Sequence, residues 1–199
     1  ALAYQLYENN GVLKRENVTE YLKDLGQNER KILRDLGVKF GRYHIFLYKL
    51  IKPEPVILRT LLWKNYHQKY FNLKPPTFGL NFLNDKDYKN KNFMLLCGFE
   101  KFDTFFVRID ILERLFIQIL NSNNKEKEKM IKMVPEMINL LGCSRENFKK
   151  LISMMNYKIF EKNSELFFKY NPPKKNKKII LKKPNKESPF MVLKNLNLN

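Results

Sequence analysis

Residues that build metal and thiol chemistry are scarce in this 199-residue sequence, which has two cysteines and two histidines. Cys97 and Cys143 lie far apart and form no CxxC pair, so we predict no zinc site and interpret both as buried free thiols. His44 and His67 lie in different segments, and we interpret each as a packing or surface residue. No Walker A, GxGxxG, GxSxG or HExxH motif occurs, and such motifs build phosphate cradles, activated nucleophiles and zinc sites. We therefore predict no catalytic, cofactor or metal site within the chain.

Long apolar runs are also missing. The longest are far short of the ~20 residues that span a bilayer, and the chain does not open with a signal peptide. With free thiols that suit a reducing compartment, these features predict a cytoplasmic protein with no membrane partner. The chain begins at Ala1, and its first ten residues, ALAYQLYENN, resemble the end of a helix. We therefore expect it to be the later part of a longer protein.

Acidic residues are the minority, with 20 Asp and Glu against 38 Lys and Arg, for a formal net charge of +18. A field of this sign attracts polyanions such as phosphate backbones, although net charge can also serve solubility alone. Lysine greatly outnumbers arginine, a bias typical of AT-rich genomes. Because lysine acts as a point charge on phosphate, the composition predicts backbone contact and no specific base readout.

Hydrophobic residues make up 44% of the chain, which is enough to build a core. Their periodicity predicts a helix-dominated α+β fold of small helix–hairpin modules. We predict a helical lead-in plus a helix–hairpin–helix module over residues 1–70, and a linker over 71–90 that is rich in Pro, Asn and Asp. A helix–hairpin and a winged-helix-like module follow over 91–171. Residues 172–199 are predicted to be a basic, mostly disordered tail.

Three helices have faces that can be predicted from spacing. A helix from Asn28 carries Ile32, Leu33 and Leu36 on one face and ends at Gly37. A helix that starts near Pro53 has a wide apolar face formed by Ile57, Leu58, Leu61, Leu62 and Tyr66. A third starts at Asp110, with Asp110 and Glu113 as a capping pair, and buries Leu112, Leu115, Phe116 and Ile119.

Residues 134–171 have the order of a helix-turn-helix with a wing. Pro135 starts a helix that ends at Gly142, and Ser144 caps the next helix. That helix has an inward face at spacings i, i+3, i+4 and i+7, formed by Phe148, Leu151, Ile152 and Met155. Two strands, YKIF and LFFKY, follow and form the predicted wing.

An internal echo recurs at three places, in LRDLGVKFGRYHIFLY, FMLLCGFEKFDTFFVRI and SMMNYKIFEKNSELFFKY. Each has an apolar helix end, a Gly or Asn, an apolar residue and a hairpin. A repeated helix–hairpin unit would produce this pattern. Small α+β modules that end their helices in the same way would produce it as well.

The candidate nucleic-acid contacts are cationic side chains around the winged-helix-like module and the tail. The alternative for each is an ordinary solvated surface lysine. The tail would add salt-dependent, sequence-independent affinity. The candidates are Arg145, Lys149 and Lys150 on the second helix, Lys158 and Lys162 on the wing, and Lys174, Lys175, Lys177 and Lys178 in the tail.

Several blocks resemble, in order, the C-terminal region of alphaproteobacterial superfamily 2 helicases related to the mitochondrial degradosome RNA helicase. They are AYQLYENNGVL, LGVKFGRYHIFLYKLIKPEPVILRTLLW, CGFEKFDTFFVRIDILERL, VPEMINLLGCSRENFKKLISMMNY and a basic tail with SPF. Where such proteins often have Gly, this chain has Asn156, which tolerates a left-handed turn. The resemblance covers nearly the whole chain.

The resemblance implies an accessory region of an ATP-dependent RNA or DNA helicase. ATP and Mg²⁺ would bind only the motor domains, whose motifs are absent here, so no catalytic residue carries over. The expected partners are RNA or DNA, the motor of the same polypeptide and a nuclease. Two alternatives stay open: a protein-interaction scaffold that docks such a nuclease, and a standalone winged-helix regulator that binds duplex DNA.

Overall fold

The computed structural model describes residues 1–88, 90–123, 130–162 and 165–172. Over these residues the chain is a mixed α/β protein with three small antiparallel sheets. Each sheet has three strands, and in each the last strand of the hairpin lies in the middle. The chain therefore consists of three consecutive units with one topology, and the internal echo in the sequence reflects a structural repeat.

The first unit places a short strand between its helices. Residues 1–25, predicted as helical, include this strand, which is stabilised by pairing Val12 with Phe46 and Leu13 with Ile45. The prediction missed it because the pairing is non-local. The elements are α1 (Leu2–Glu8), β1 (Val12–Lys14), α2 (Thr19–Lys23), α3 (Gln27–Asp35), β2 (Val38–Phe40) and β3 (His44–Leu47).

The second unit begins with the longest helix of the first hundred residues and includes a strand inside the predicted linker. Residues 71–90 contain this strand, because Leu83 is opposite Phe106 in the sheet. The strand is only three residues long and two of them are apolar, which explains why the composition predicted a linker. The elements are α4 (Pro53–Tyr66), β4 (Phe82–Asn84), α5 (Lys91–Leu96), β5 (Phe99–Phe102) and β6 (Phe105–Arg108).

The third unit contains the two helices and the hairpin that the sequence predicted for residues 134–171, together with a two-residue strand that it did not predict. Pro135 starts a helix, and Gly142 ends it with a left-handed φ of 66°. The Ser144 side chain accepts a hydrogen bond from the backbone N–H of Asn147 at 3.2 Å, which caps the next helix as predicted. The elements are α6 (Ile109–Asn123), β7 (Ile131–Lys132), α7 (Pro135–Leu141), α8 (Arg145–Met154), β8 (Tyr157–Lys162) and β9 (Glu165–Tyr170).

The same left-handed turn joins the last helix of each unit to its hairpin. Gly37, Gly98 and Asn156 occupy equivalent positions and have φ values of 93°, 86° and 65°. The left-handed region favours Gly and tolerates Asn, so the turn fixes the residue type. In each unit the carbonyl of this residue accepts a hydrogen bond from the backbone N–H that follows the last strand, donated by Tyr48, Ile109 and Asn171 respectively.

The units share their hydrophobic cores. The largest cluster joins the hairpin of the second unit, at Phe105 and Val107, to α6, α7, α8 and the third sheet. A smaller cluster joins Val12 and Phe46 of the first unit to Ile51 and Ile109. Because the apolar surface of each unit is covered partly by the next, the three units stabilise one another.

The predicted apolar faces of two helices lie largely at the surface. On α3, Ile32 and Leu36 are exposed, and Leu33 alone of the three packs against the core. On α4 the buried residues are Val56 and Thr60. The helix is apolar on nearly all sides, so spacing could not identify its inner face. Its exposed apolar residues are Ile57, Leu58, Leu61, Leu62 and Tyr66.

Candidate nucleic-acid interface

The outer face of the third sheet combines lysines with aromatic rings. Successive side chains of a strand point to opposite faces. Tyr157, Leu166 and Phe168 are buried on the inner face. The outer face therefore carries the alternate positions, which are Lys132 on β7, Lys158, Phe160 and Lys162 on β8, and Glu165, Phe167 and Lys169 on β9.

Strand register places two phenylalanines directly opposite each other, with lysines at neighbouring positions on the same face. Phe160 is directly opposite Phe167, and Phe167 is also opposite Lys132 across the other edge of β9. Cβ atoms of directly opposed residues lie about 5 Å apart. Phe160 is 40% exposed, so a large apolar ring faces solvent there. We call Phe160 and Phe167, with the lysines beside them on this face, the aromatic platform.

The electrostatics of this face are strongly positive. Glu165 is the one carboxylate among the outward-facing strand residues that the structure describes, and it forms an ion pair with Lys132. Lys158 is directly opposite Lys169, and like charges in this arrangement destabilise a sheet. A bound phosphate would remove that repulsion. The opposed lysines therefore lower the stability of the sheet, and a bound anion would offset this cost.

The predicted contacts on α8 belong to a different surface. Phe148 of α8 meets Phe168 on the inner face of the sheet, with ring centroids 6.3 Å apart. Helix α8 thus lies behind the sheet, on the side away from Lys158 and Lys162. On α8, Arg145 and Lys150 are exposed and Lys149 is half-buried. The structure therefore does not bring the predicted helix and wing residues together on one face.

Some of the predicted cations lie outside the described residues, and some residues of the outer face were not predicted. Lys174, Lys175, Lys177 and Lys178 lie outside the described residues. The prediction missed Phe160, Phe167 and Lys169, although the two-residue spacing of Lys158, Phe160 and Lys162 is a signal for one face of a strand. Lys132 could not be found, because its strand is only two residues long.

A second polar site lies in the interior, where the three units meet. The carboxylate of Glu113, on α6, accepts hydrogen bonds from the backbone N–H groups of Arg42, Tyr43 (2.9 Å) and His44 (2.8 Å). The prediction that Glu113 and Asp110 form a capping pair is wrong. Asp110 instead binds the guanidinium of Arg108 through two hydrogen bonds of 2.7 Å.

His44 links two buried carboxylates from different units. Its Nδ1 lies 3.3 Å from Glu113 Oε1, and its Nε2 lies 3.4 Å from Glu100 Oε2. Glu100 also accepts a 2.6 Å hydrogen bond from Lys14 Nζ. His44 was predicted to be a packing or surface residue, and it is a fully buried member of this network. We call Lys14, His44, Glu100 and Glu113 the junction network.

The network changes the proton affinities of two of its members. Burial lowers the pKa of His44, but hydrogen bonds and charges from Glu100 and Glu113 outweigh it and raise the pKa above the ordinary 6.5. Burial raises the pKa of Glu100, but the hydrogen bonds and charges of His44 and Lys14 outweigh it and lower the pKa. The network therefore favours an imidazolium between two carboxylates.

The two cysteines are poor nucleophiles in this fold. Cys97 is buried as predicted, and Cys143 is half-buried. Burial raises the pKa of Cys97 to about 12, with the charge of Arg59 opposing it, and raises the pKa of Cys143 to about 11. Both are thiols at neutral pH, whereas thiolates are the reactive form. Within the described ranges, no three His, Cys, Asp or Glu side chains cluster in a way that could hold a metal ion.

Comparisons of the chain with protein-family models, with curated proteins and with solved structures give no match. Among the helices of the described part, none is both long and apolar enough to cross a membrane.

Proposed function

We propose that this chain binds single-stranded nucleic acid on the outer face of its third sheet, as an accessory region of an ATP-dependent helicase. The observation that carries the proposal is the register of Phe160 opposite Phe167, with lysines on both sides. ATP and Mg²⁺ would bind to the motor domains that the family resemblance implies, outside this chain. The accessory region would hold the strand for that motor in the cytoplasm.

Physical chemistry supports a single strand as the ligand. Bases stack on exposed aromatic side chains whatever their sequence, and each stack contributes about 1–3 kcal/mol. Stacking needs unpaired bases, because the faces of bases in a duplex are already covered. Lys158 is directly opposite Lys169 on the same face as Phe160, so the two lysines would contact the backbone beside a base that stacks on Phe160. The predominance of lysine suits binding without base discrimination.

The third unit also supports a winged-helix-like interpretation. Helices α7 and α8 are joined by a short turn and followed by a hairpin, in the order that was predicted for residues 134–171. Strand β7 pairs with this hairpin and was not predicted. In a duplex-binding regulator, α8 would enter the major groove and present Arg145, Lys149 and Lys150. The two functions therefore use opposite sides of the same unit, and substitutions can separate them.

The test is a salt titration of binding to a fluorescent single strand of about twelve nucleotides. With four lysines on the face, log K should fall with log salt at a slope of about −3, and lysines of the tail would make it steeper. Lys158→Gln should reduce the magnitude of the slope by about 0.7. Phe160→Ala should weaken binding by about 5- to 150-fold and leave the slope unchanged, because a stacking contact releases no counterions.

Lys31→Gln on α3 is the matched control, since this exposed lysine lies in the first unit, away from the third sheet. Affinity that Phe160→Ala leaves intact would contradict the proposal. Tighter binding to duplex DNA that is lost in Lys149→Gln and Lys150→Gln would instead support the regulator.

The exposed apolar face of α4 favours a scaffold as the second candidate function. Its residues Ile57, Leu58, Leu61 and Leu62 are each 48–59% exposed, and Tyr66 is 84% exposed. Contiguous apolar surface of this kind marks protein interaction sites. A motor domain of the same polypeptide or a nuclease would be the partner on this face.

A paired substitution tests the scaffold. Leu58→Glu with Leu62→Glu should leave the melting temperature unchanged, because both side chains already face water. It should abolish co-elution with a separately purified motor segment or nuclease. Retained co-elution would remove this face from consideration, whereas a lower melting temperature would show that α4 is packed in a way the structure does not describe.

A further inference from the structure

A cavity of about 380 Å³ lies where the three units meet, and Lys14, His44 and Glu100 of the junction network form part of its wall. The first unit contributes the end of β1 and the turn between β2 and β3. The second unit contributes Phe102, and the third contributes Leu112 and Met155. Small-molecule sites are typically concave, largely apolar and about 300–1,000 Å³ in volume, with a few polar groups that fix orientation. This cavity meets that description.

The walls of the cavity have two chemical characters. Phe102, Leu112, Met155 and the ring of Tyr43 form an apolar part. A separate part is polar and has more cations than carboxylates. It is formed by Lys14, Arg15, Arg42, Thr19 and His44, together with Glu16 and Glu100. A ligand that satisfies both parts has an apolar, ring-shaped end and an anionic end.

The arginines are available for such an anion. Glu100 is already engaged by Lys14 and His44 within the junction network. The guanidinium of Arg15 donates a 2.7 Å hydrogen bond to the carbonyl of Gly41, which holds it at the cavity. In the parts of the chain that the structure describes, neither Arg15 nor Arg42 forms an ion pair with a carboxylate.

Arg42 connects the cavity with the third sheet. Its guanidinium carbon lies 5.7 Å from the centre of the Tyr170 ring. Tyr170 directly follows Lys169, and its partner across the ladder, Tyr157, directly precedes Lys158. Tyr170 and Tyr157 face the inner side of the sheet, so the cavity lies at the end that carries the opposed lysines but on the side away from Phe160 and Phe167. The end of a strand bound on the outer face would pass around this end of the sheet to reach the cations of the cavity.

We infer that this cavity binds a ring-bearing phosphate, with the base against Phe102 and Tyr43 and the phosphate at Arg15 and Arg42. The ligand is either a free nucleoside monophosphate or the phosphorylated end of the bound strand. Binding of the strand end rests on the proposed function, whereas binding of a free nucleotide does not. Neither the platform nor the tail is needed for the free nucleotide to bind.

Adenosine 5′-monophosphate added to the full chain is the probe, followed by NMR of the Tyr43 and His44 resonances. We expect saturable shifts, with inorganic phosphate and adenosine each binding at least tenfold more weakly. Arg42→Gln should weaken the nucleotide about tenfold and leave the fold intact, because Glu113 contacts only the backbone of this exposed residue. Arg34→Gln on α3 is the control and should change nothing. Absence of saturable shifts, or equal effects of the two arginine substitutions, would overturn the inference.

Two further arms identify the source and separate this site from the platform. The first arm compares a strand that has a 5′ or 3′ terminal phosphate with its dephosphorylated form. If the phosphorylated strand binds more tightly, and the difference is lost in Arg42→Gln, the ligand of the cavity is the strand end. Equal binding of the two forms, with nucleotide binding intact, identifies the free nucleotide. Phe160→Ala should weaken the strand and spare the nucleotide. A strand that binds while the nucleotide does not refutes the cavity and leaves the platform standing.

Discussion

Gly41 lies against the carboxyl group of Glu113, so close that a Cβ atom on Gly41 would overlap with it. The turn between β2 and β3 wraps around this carboxylate, whose oxygens accept three consecutive backbone N–H groups. The two residues belong to different units of the repeat. Because Gly41 has no side chain, the turn of the first unit can pack against Glu113 of the third unit.

Substituting Gly41→Ala should lower the free energy of unfolding by about 1–3 kcal/mol, because the overlap forces the turn and α6 apart. Urea denaturation, followed by the fluorescence of the single tryptophan, Trp63, and by circular dichroism, measures the change. Gly26→Ala is the control, since its nearest neighbour would be the flexible Glu29 carboxylate at 3.6 Å. Equal losses in the two variants would mean that Glu113 does not occupy the turn.

The junction network predicts a pH dependence of stability. The pKa of His44 is raised above 6.5, so its contribution is fully present below pH 6.5 and is lost as the pH rises through the folded-state pKa. The pKa of Glu100 is lowered below 4.5, so its contribution is present above pH 4.5 and is lost as the pH falls through the folded-state pKa.

The two contributions together are therefore greatest between about pH 4.5 and 6.5. The groups that face His44 are Glu100 and Glu113, with Lys14 beyond Glu100. Urea denaturation from about pH 6.5 upward, through the raised folded-state pKa of His44, should show that His44→Gln loses most stability, relative to the unaltered protein, at the acidic end. The difference should shrink as the pH rises. A difference that stays constant with pH would show that His44 is neutral in the folded protein.

The left-handed residue that joins α8 to β8 gives a third prediction. Asn156→Gly should change the free energy of unfolding by less than about 0.5 kcal/mol, because Gly occupies the two equivalent positions. Asn156→Val should lower it by about 1–2 kcal/mol, since a β-branched side chain clashes in this region. Asn139→Val on α7 provides the right-handed comparison for thermal denaturation. If Asn156→Val were as stable as the parent, the repeat of this turn would be refuted.

Opposed lysines on the third sheet predict a conflict between stability and binding. Lys158→Glu replaces a like-charged pair with an ion pair opposite Lys169, and this should raise the free energy of unfolding by about 0.2–1 kcal/mol. The same change should weaken binding to a single strand by more than tenfold. Lys31→Glu has the same change in net charge and should alter neither quantity strongly. Loss of stability in Lys158→Glu would show that the two lysines are not paired across the ladder.

Much of the fold was predictable where local patterns decide the structure. The inward face of α8, the Ser144 cap and all three hairpins are confirmed, because spacing, caps and turns are local signals. Strands β1, β4 and β7 were missed, since each has two or three residues and depends on partners at least 21 residues away. The exposed face of α4 could not be assigned from spacing, because the helix is apolar on nearly all sides.

The candidate site was predictable only in part. Lys158 and Lys162 can be identified from charge alone, whereas Phe160 can be assigned to their face only through its two-residue spacing from them. Its role depends on which face of the sheet is covered, and α8 decides that through Phe148. Glu113 had a plausible local role as a helix cap. Only the tertiary structure could show that its carboxylate serves a turn 70 residues earlier in the chain.

That separation has a consequence for synthesis on the ribosome. The hairpin of the first unit leaves the ribosome before Glu113 is synthesised. The backbone N–H groups of Tyr43 and His44 then lack the carboxylate that accepts their hydrogen bonds in the finished chain. Until Glu113 leaves the exit tunnel, water must satisfy those groups, and the amino-terminal unit stays less stable than in the finished chain. Slow translation between these points would therefore prolong the exposure of an unfinished nascent chain to proteases.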